Sequence, residues 1–204
     1  MNQDDQRNAV QIKERAEELE AEQVEIFPPH SNFTKGCFEW VESIVTAIVV
    51  VVVVLTFIFR VVNVSGMSMM NTLHDEDKLI ITNLFYEPHN GDIVVISHGE
   101  EFKEPIIKRI IATEGQTLDI DFDTGTVTVD GKTLSEPYIK DPTTKQGDAF
   151  IPSVIPEGYV FVMGDNRNNS LDSRFKLVGL IDKKNILGKA EFIIFPFSRF
   201  GGIQ

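Results

Sequence analysis

An uncharged apolar run limits this chain more than any other feature. From Ile44 to Phe59 there is no charged residue and no proline, and Val49 to Val54 are consecutive valines. With Trp40, Val41, Val61 and Val62 alongside, the run approaches the roughly 20 residues that cross a hydrocarbon core. Valine favours strands in water, but a lone strand in lipid would leave its N–H and C=O groups unpaired, whereas a helix pairs them internally. The sequence therefore predicts a single transmembrane helix over residues 40–62, with Trp40 near one interface and Arg60 near the other.

What precedes the run is unlike it. Residues 1–39 are rich in Glu, Gln, Asp and Asn and read as an acidic, solvated tail. Residues 4–24 have a weak helical pattern, with Ile12, Ala16 and Leu19 on one face, and Pro28-Pro29 ends any helix. A long acidic tail is not the short basic leader of a cleavable signal peptide, so the run reads as a permanent anchor. Lys35 on one side is balanced by Arg60 on the other, and flanking charge does not orient the span. The formal net charge of -12 argues against a nucleic-acid partner, whose phosphates would be repelled. Cys37 is the only cysteine, which excludes an intramolecular disulfide.

After the span the pattern changes to short strands and turns. Residues 78–82, 93–96, 106–112, 118–122, 126–129, 159–163 and 191–195 read as strands. Asn90-Gly91, Asp123-Thr124-Gly125 and Asp130-Gly131 read as turns, the last as a hairpin marker. No long stretch past Val62 has helical periodicity. Residues 63–204 are predicted to form one compact, mainly β domain of antiparallel strands.

Three stretches of that domain hold residues with chemical potential. In the first, Val64-Ser65-Gly66-Met67-Ser68-Met69-Met70-Asn71-Thr72-Leu73, Ser68 is flanked by methionines and preceded by a glycine that lets backbone approach a substrate; it reads either as a nucleophile or as an ordinary turn serine. In the second, Lys108 and Arg109 interrupt the run Ile106-Ile107-Lys108-Arg109-Ile110-Ile111. Period-two alternation puts Lys108 on the face of Ile106 and Ile110, and Arg109 on that of Ile107 and Ile111. A desolvated lysine loses part of its ordinary pKa of about 10.4 and can act as a base, although a basic pair also suits an edge strand. The third is Gly164-Asp165-Asn166-Arg167-Asn168-Asn169-Ser170-Leu171-Asp172-Ser173-Arg174, a polar loop in which Asp172 and Arg174 are able to pair. Its spacing excludes a calcium-binding EF-hand, because Ser170 stands where glycine is needed and Lys176 where glutamate is needed. The histidines lie in no zinc spacing.

Taken in order after a single span, these stretches, with Asn90-Gly91-Asp92-Ile93-Val94-Val95 and the closing Gly188-Lys189-Ala190 and Phe195-Pro196, resemble the boxes of type I signal peptidases. The resemblance covers about residues 40–200 and is closest to the short Gram-positive-like form. It implies a β-rich catalytic domain of the type shared with self-cleaving repressors, held outside the cytoplasm by the span, with the tail cytoplasmic. It also implies a serine endopeptidase that removes signal peptides from secretory preproteins without metal or other cofactor. By motif match Ser68 is the nucleophile, Lys108 its general base and Ser170 the auxiliary serine, while Arg109, Asp165, Asp172 and Arg174 brace the site. Val64 and Ile107 match residues lining the pockets that select small side chains at -1 and -3. The backbone N–H of Ser68 matches an oxyanion donor, and Gly66 stands where some members place a second donor, a serine hydroxyl. Three departures fall in turns: Asn71 replaces the family's proline, Ala112-Thr113-Glu114-Gly115-Gln116 replaces Gly-x-Pro-Gly-Asp, and Asn90 replaces the common arginine. The implied partners are secretory preproteins and the lipid bilayer, with no nucleic acid.

Overall fold

A computed structural model describes residues 11–18, 32–97, 102 and 104–203. Most of the acidic tail lies outside the described residues, apart from a helical turn pair over residues 11–18 and the start of the long helix. The chain divides into two units, Met1–Val54 and Leu55–Gln204.

In the first unit the apolar run is helical, as part of α1 (Asn32–Ile58). Its segment Gly36–Val54 is long and apolar enough to cross a membrane, and none of it is buried by protein. At 1.5 Å per residue those 19 residues rise about 28 Å, close to the thickness of a hydrocarbon core. Trp40, Val41, Ile44, Val45 and the valines from Val49 to Val54 all point outward. A helix with so long an uncharged apolar run, unburied by the described residues, is suited to lipid.

The helix ends sooner than residue 62. Phe59–Asn63 forms strand β1, paired antiparallel with β2 (Lys78–Thr82) in the register Phe59↔Thr82 to Asn63↔Lys78. The backbone groups of Val61 and Val62 thus find partners across a sheet, where β-branched side chains pack well, and do not need the helix to satisfy them. Composition alone continues smoothly from lipid-facing helix into strand, which is why the predicted boundary ran past the true one.

The second unit is mainly β. Its large sheet has the order β1-β2-β10-β3-β4-β8-β9, with β11 (Gly201–Gly202) on β10, and all its pairings are antiparallel. The members are β3 (Ile93–Ile96), β4 (Ile106–Thr113), β8 (Tyr159–Met163), β9 (Ile181–Asp182) and β10 (Ile186–Phe195). A second sheet, β5 (Leu118–Asp121), β6 (Thr126–Val129) and β7 (Lys132–Thr133), includes the hairpin at Asp130-Gly131. Strand β10 reaches five residues further back than the expected 191–195, because Gly188 and Lys189 pair with β3 through a register shift. That shift and two others between β10 and β2 bend the strand, so one strand serves both halves of the sheet.

Three apolar clusters fill the interior. One, of Val64, Met69, Leu73, Leu79, Ile81, Ile93, Val95, Ile107, Ala190 and Ile193, holds the turn that contains Ser68 against β2, β3 and β4. A second packs Val94, Ile96 and Ile110 with β8 and β9, and a third joins β4 and β8 to the small sheet. Strand β4 contributes to all of them and is the central support of the molecule.

Candidate active site

Lys108 and Arg109 sit mid-way along β4, where β3 pairs on one side: Lys108 lies opposite Val94 and Arg109 opposite Ile93. On the other side β8 begins its pairing only at Arg109↔Met163. The edge of β4 from Ile106 to Lys108 therefore carries no strand partner on that side among the described residues. Both basic side chains are inside, Lys108 being 4% exposed and Arg109 3%.

The turn that follows β1 brings Ser68 to the lysine. Val64 N donates to Asp77 O (2.8 Å) and Glu76 N to Val64 O (3.0 Å), which closes the ends of the turn, while buried Met69 and Leu73 fasten its middle to the core. Ser68, at the rim, receives a hydrogen bond from Lys108 Nζ at 2.8 Å; the same amine donates to Ile107 O at 3.0 Å. The N–H of Ser68 makes no hydrogen bond to the described residues. Gly66, at φ +87°, gives its N–H to Asp75 Oδ1 (2.8 Å), so that group is occupied and the residue adds no hydroxyl. Asn71 is exposed in the turn. Beside it, Thr72 Oγ1 donates to Asp165.

The loop after β8 forms the wall behind the serine. Asn166 N donates to Ser68 O and Asn166 Nδ2 to Met67 O, each at 3.0 Å. Gly164 lies so close that an added Cβ would fall 2.3 Å from Ser170 Oγ and 2.5 Å from Ser68 O. Only a residue without a side chain fits between the two serines. Ser170 is buried beside this contact, and its Oγ has no hydrogen-bond partner among the described residues; the amine of Lys108 goes to Ser68 and Ile107 and not to Ser170.

Around the lysine, three arginines are each matched to one carboxylate. Arg109 grips Asp165 with two bonds (2.9 and 2.8 Å), and Arg174 grips Asp172 in the same way (2.8 and 2.8 Å). Arg167 pairs with Glu136. Forked pairs of this kind occupy acceptor sites of the carboxylates, and Lys108 has no ion pair of its own among the described residues. Burial pushes its amine down to about 8, against the opposing pull of Asp172 and Asp165. The serine and lysine open onto a cleft of about 230 Å³ whose walls include Val64, Gly66, Ile107 and Pro105.

The arrangement of a hydroxyl held by a desolvated amine beside an apolar cleft suits acyl transfer, and comparison with known proteins narrows it. The profile of the family described as "Signal peptidase, peptidase S26" matches residues 37–195. Signal peptidase I of Bacillus licheniformis is 39% identical over 179 residues, covering 82% of this chain and 94% of the relative. Signal peptidase I T of Bacillus subtilis is 39% identical over 175 residues, covering 81% and 89%. The chain belongs to the signal peptidase family.

A solved signal peptidase I from Enterococcus faecalis is 26% identical, with a TM-score of 0.44 over 51% of this chain and 97% of that one. As a type I signal peptidase the protein is a serine-peptidase hydrolase that removes signal peptides from preproteins, and its apolar helix makes it membrane-anchored.

Several residues of this signal peptidase site escape the sequence reading. Asn166 and Arg167 lie inside the polar loop but carry no role there; what marks them is burial, at 6% and 0% exposure, unusual for an asparagine and an arginine. Thr72 gives no signal, being one hydroxyl in a turn. Tyr138, whose ring lies 3.8 Å from the Arg109 guanidinium, and Glu136 come from a segment with no period and no motif. Only tertiary packing brings them to the site.

Proposed function

We propose that Ser68 is the nucleophile of this signal peptidase and Lys108 the general base. The observation that carries the reading is the 2.8 Å hydrogen bond between Lys108 Nζ and Ser68 Oγ, made by a lysine that is 4% exposed. In the reactive form the amine is neutral. It takes the Oγ proton as Oγ attacks the scissile carbonyl, and the resulting ammonium protonates the leaving amine, giving an ester on Ser68. The neutral amine then activates a water that hydrolyses the ester and frees the signal peptide. The unbonded N–H of Ser68 is placed to stabilise the tetrahedral oxyanion. Arg109, Asp165, Asp172 and Arg174 brace β4 and the loop behind the serine, and Ser170, whose Oγ takes no bond from Lys108, packs beside them.

The pH profile follows from the lysine. Its amine is the base only when deprotonated, so activity rises with pH through about 8 and levels off above it. A preprotein assay is expected to give a rate about tenfold lower at pH 7 than on the plateau. A profile flat from pH 6 to 9 would remove Lys108 from the base role.

An extended preprotein segment lies along the Ile106–Lys108 edge, with its -1 and -3 side chains in the cleft formed by Val64 and Ile107. The shallow apolar walls favour small residues at both positions. The tail up to about residue 39 is cytoplasmic, α1 crosses the bilayer, and the domain from β1 onward lies outside. A panel of preproteins varied at -1 and -3, supplied to the outside of intact protoplasts that carry the enzyme, tests both points. Alanine at both positions is expected to be cut and bulky or charged residues left intact. Cleavage seen only after the protoplasts are lysed would reverse the orientation.

A further inference from the structure

Residues 134–149 follow β7 and line the outer side of the loop that walls the serine. Leu134 N donates to Val127 O, which ties the start of the segment to β6. Further on, Lys140 N donates to Asp165 O (3.4 Å), Asn168 Nδ2 to Pro142 O (3.1 Å), Arg174 Nη1 to Lys145 O (2.9 Å) and Ala149 N to Arg174 O (2.9 Å). The segment is thus a strap laid over residues 164–174.

Glu136 is the charged contact of this strap. Its carboxylate accepts from both Nη1 and Nη2 of Arg167, an arginine with no exposed surface. Tyr138 O–H donates to the same carboxylate (3.1 Å), and its ring lies 3.8 Å from the Arg109 guanidinium. Arg167 in turn donates from Nε to Gly164 O (3.0 Å) and follows Asn166 directly. Gly164 and Asn166 both approach the backbone of Ser68, at its carbonyl. A continuous path of bonded groups therefore runs from Glu136 through Arg167 to the carbonyl of the serine that faces Lys108.

We propose that Glu136 is a positioning residue for the Ser68–Lys108 pair: by fixing the buried guanidinium of Arg167 it sets where Gly164 and Asn166 press on the Ser68 backbone. This rests on the assignment of that pair. Replacement by glutamine keeps the shape of the side chain but removes the charge, leaving a buried guanidinium without its counter-ion. The loop then relaxes around Arg167, and a hydroxyl placed to add to the face of a carbonyl loses rate steeply with small displacements.

The test is single-turnover cleavage of a preprotein by excess full-length enzyme in detergent. The plateau rate at saturating enzyme reports the chemistry of folded molecules, while the enzyme concentration at half-saturation reports how many are competent to bind. Glu136→Gln is expected to lower the plateau about tenfold and to move half-saturation by less than twofold. Tyr138→Phe, which keeps the ring and removes one bond to Glu136, is expected to lower the plateau about threefold. Glu114→Gln, which breaks the surface ion pair with Lys183, is expected to leave both unchanged. If folded Glu136→Gln or Tyr138→Phe cleaves at the original plateau rate while Lys108→Ala does not cleave, the positioning role is overturned and the catalytic pair stands. If Lys108→Ala also cleaves at that rate, the assignment of the pair has failed instead. A change confined to half-saturation means that Glu136 serves folding only, and overturns the proposal as well.

Discussion

Replacing Lys108 by alanine is expected to lower kcat for preprotein cleavage by on the order of ten-thousandfold, with KM almost unchanged. The hydroxyl of Ser68 is a weak nucleophile at its own pKa and loses its one basic neighbour: the nearby carboxylates of Asp165 and Asp172 are gripped by Arg109 and Arg174 and face away from base duty. No other residue among those described contributes a nitrogen to Ser68 Oγ. Arginine in place of the lysine would keep the positive charge but not a group that deprotonates, and is expected to be as inactive. Ser68→Ala removes the acceptor of the acyl group and should be indistinguishable from Lys108→Ala, because the two act as one unit. Steady-state assays on detergent-purified enzyme decide the matter; a variant of either residue that retains more than about a hundredth of the activity would break the proposed pair.

The second large effect is expected from the smallest possible insertion of atoms. Gly164→Ala places a methyl group 2.3 Å from Ser170 Oγ and 2.5 Å from Ser68 O, where no real Cβ contact fits. Ser170 is buried and Ser68 is fixed by Asn166, so neither can retreat without the loop moving. Overpacking of this kind costs about 1–3 kcal/mol of stability, and a shift of about 1 Å in the nucleophile costs on the order of a hundredfold in rate. We expect both: a lower unfolding midpoint in denaturant and a kcat reduced a hundredfold or more, with KM affected less. Wild-type kcat in a folded Gly164→Ala protein would show that the wall does not constrain the serine.

How far the sequence carries depends on whether a signal is local. Strands such as residues 78–82, 93–96, 126–129 and 159–163 are bounded by turns and alternate or run apolar, and the structure has them at those residues. Strand β1 is invisible because its valines continue the valines of the helix: one composition serves lipid contact and sheet pairing, and only the partner strand Lys78–Thr82 distinguishes them. The second half of the problem is sharper at the site. A lysine among isoleucines is readable from six residues. By contrast Glu136, Tyr138 and Thr72 owe their place to partners 31, 29 and 93 residues away or thereabouts in the chain, and nothing near them in sequence records it. Arg167 lies between these cases, written in a legible loop but given its meaning by Glu136.

Among the described residues, strand β8 begins its pairing at Arg109 and leaves Ile106, Ile107 and Lys108 without a strand partner on that side. A strand edge presents its donors and acceptors at a fixed spacing that matches only an extended chain; a helix keeps its own groups bonded inside itself. If the preprotein lies along this edge as proposed, it must give up any helical conformation at the cut before a side chain reaches the cleft. On that proposal the edge would act as a conformational filter: loosely held junctions are expected to be cut and identical sequences locked within folded domains to be left intact.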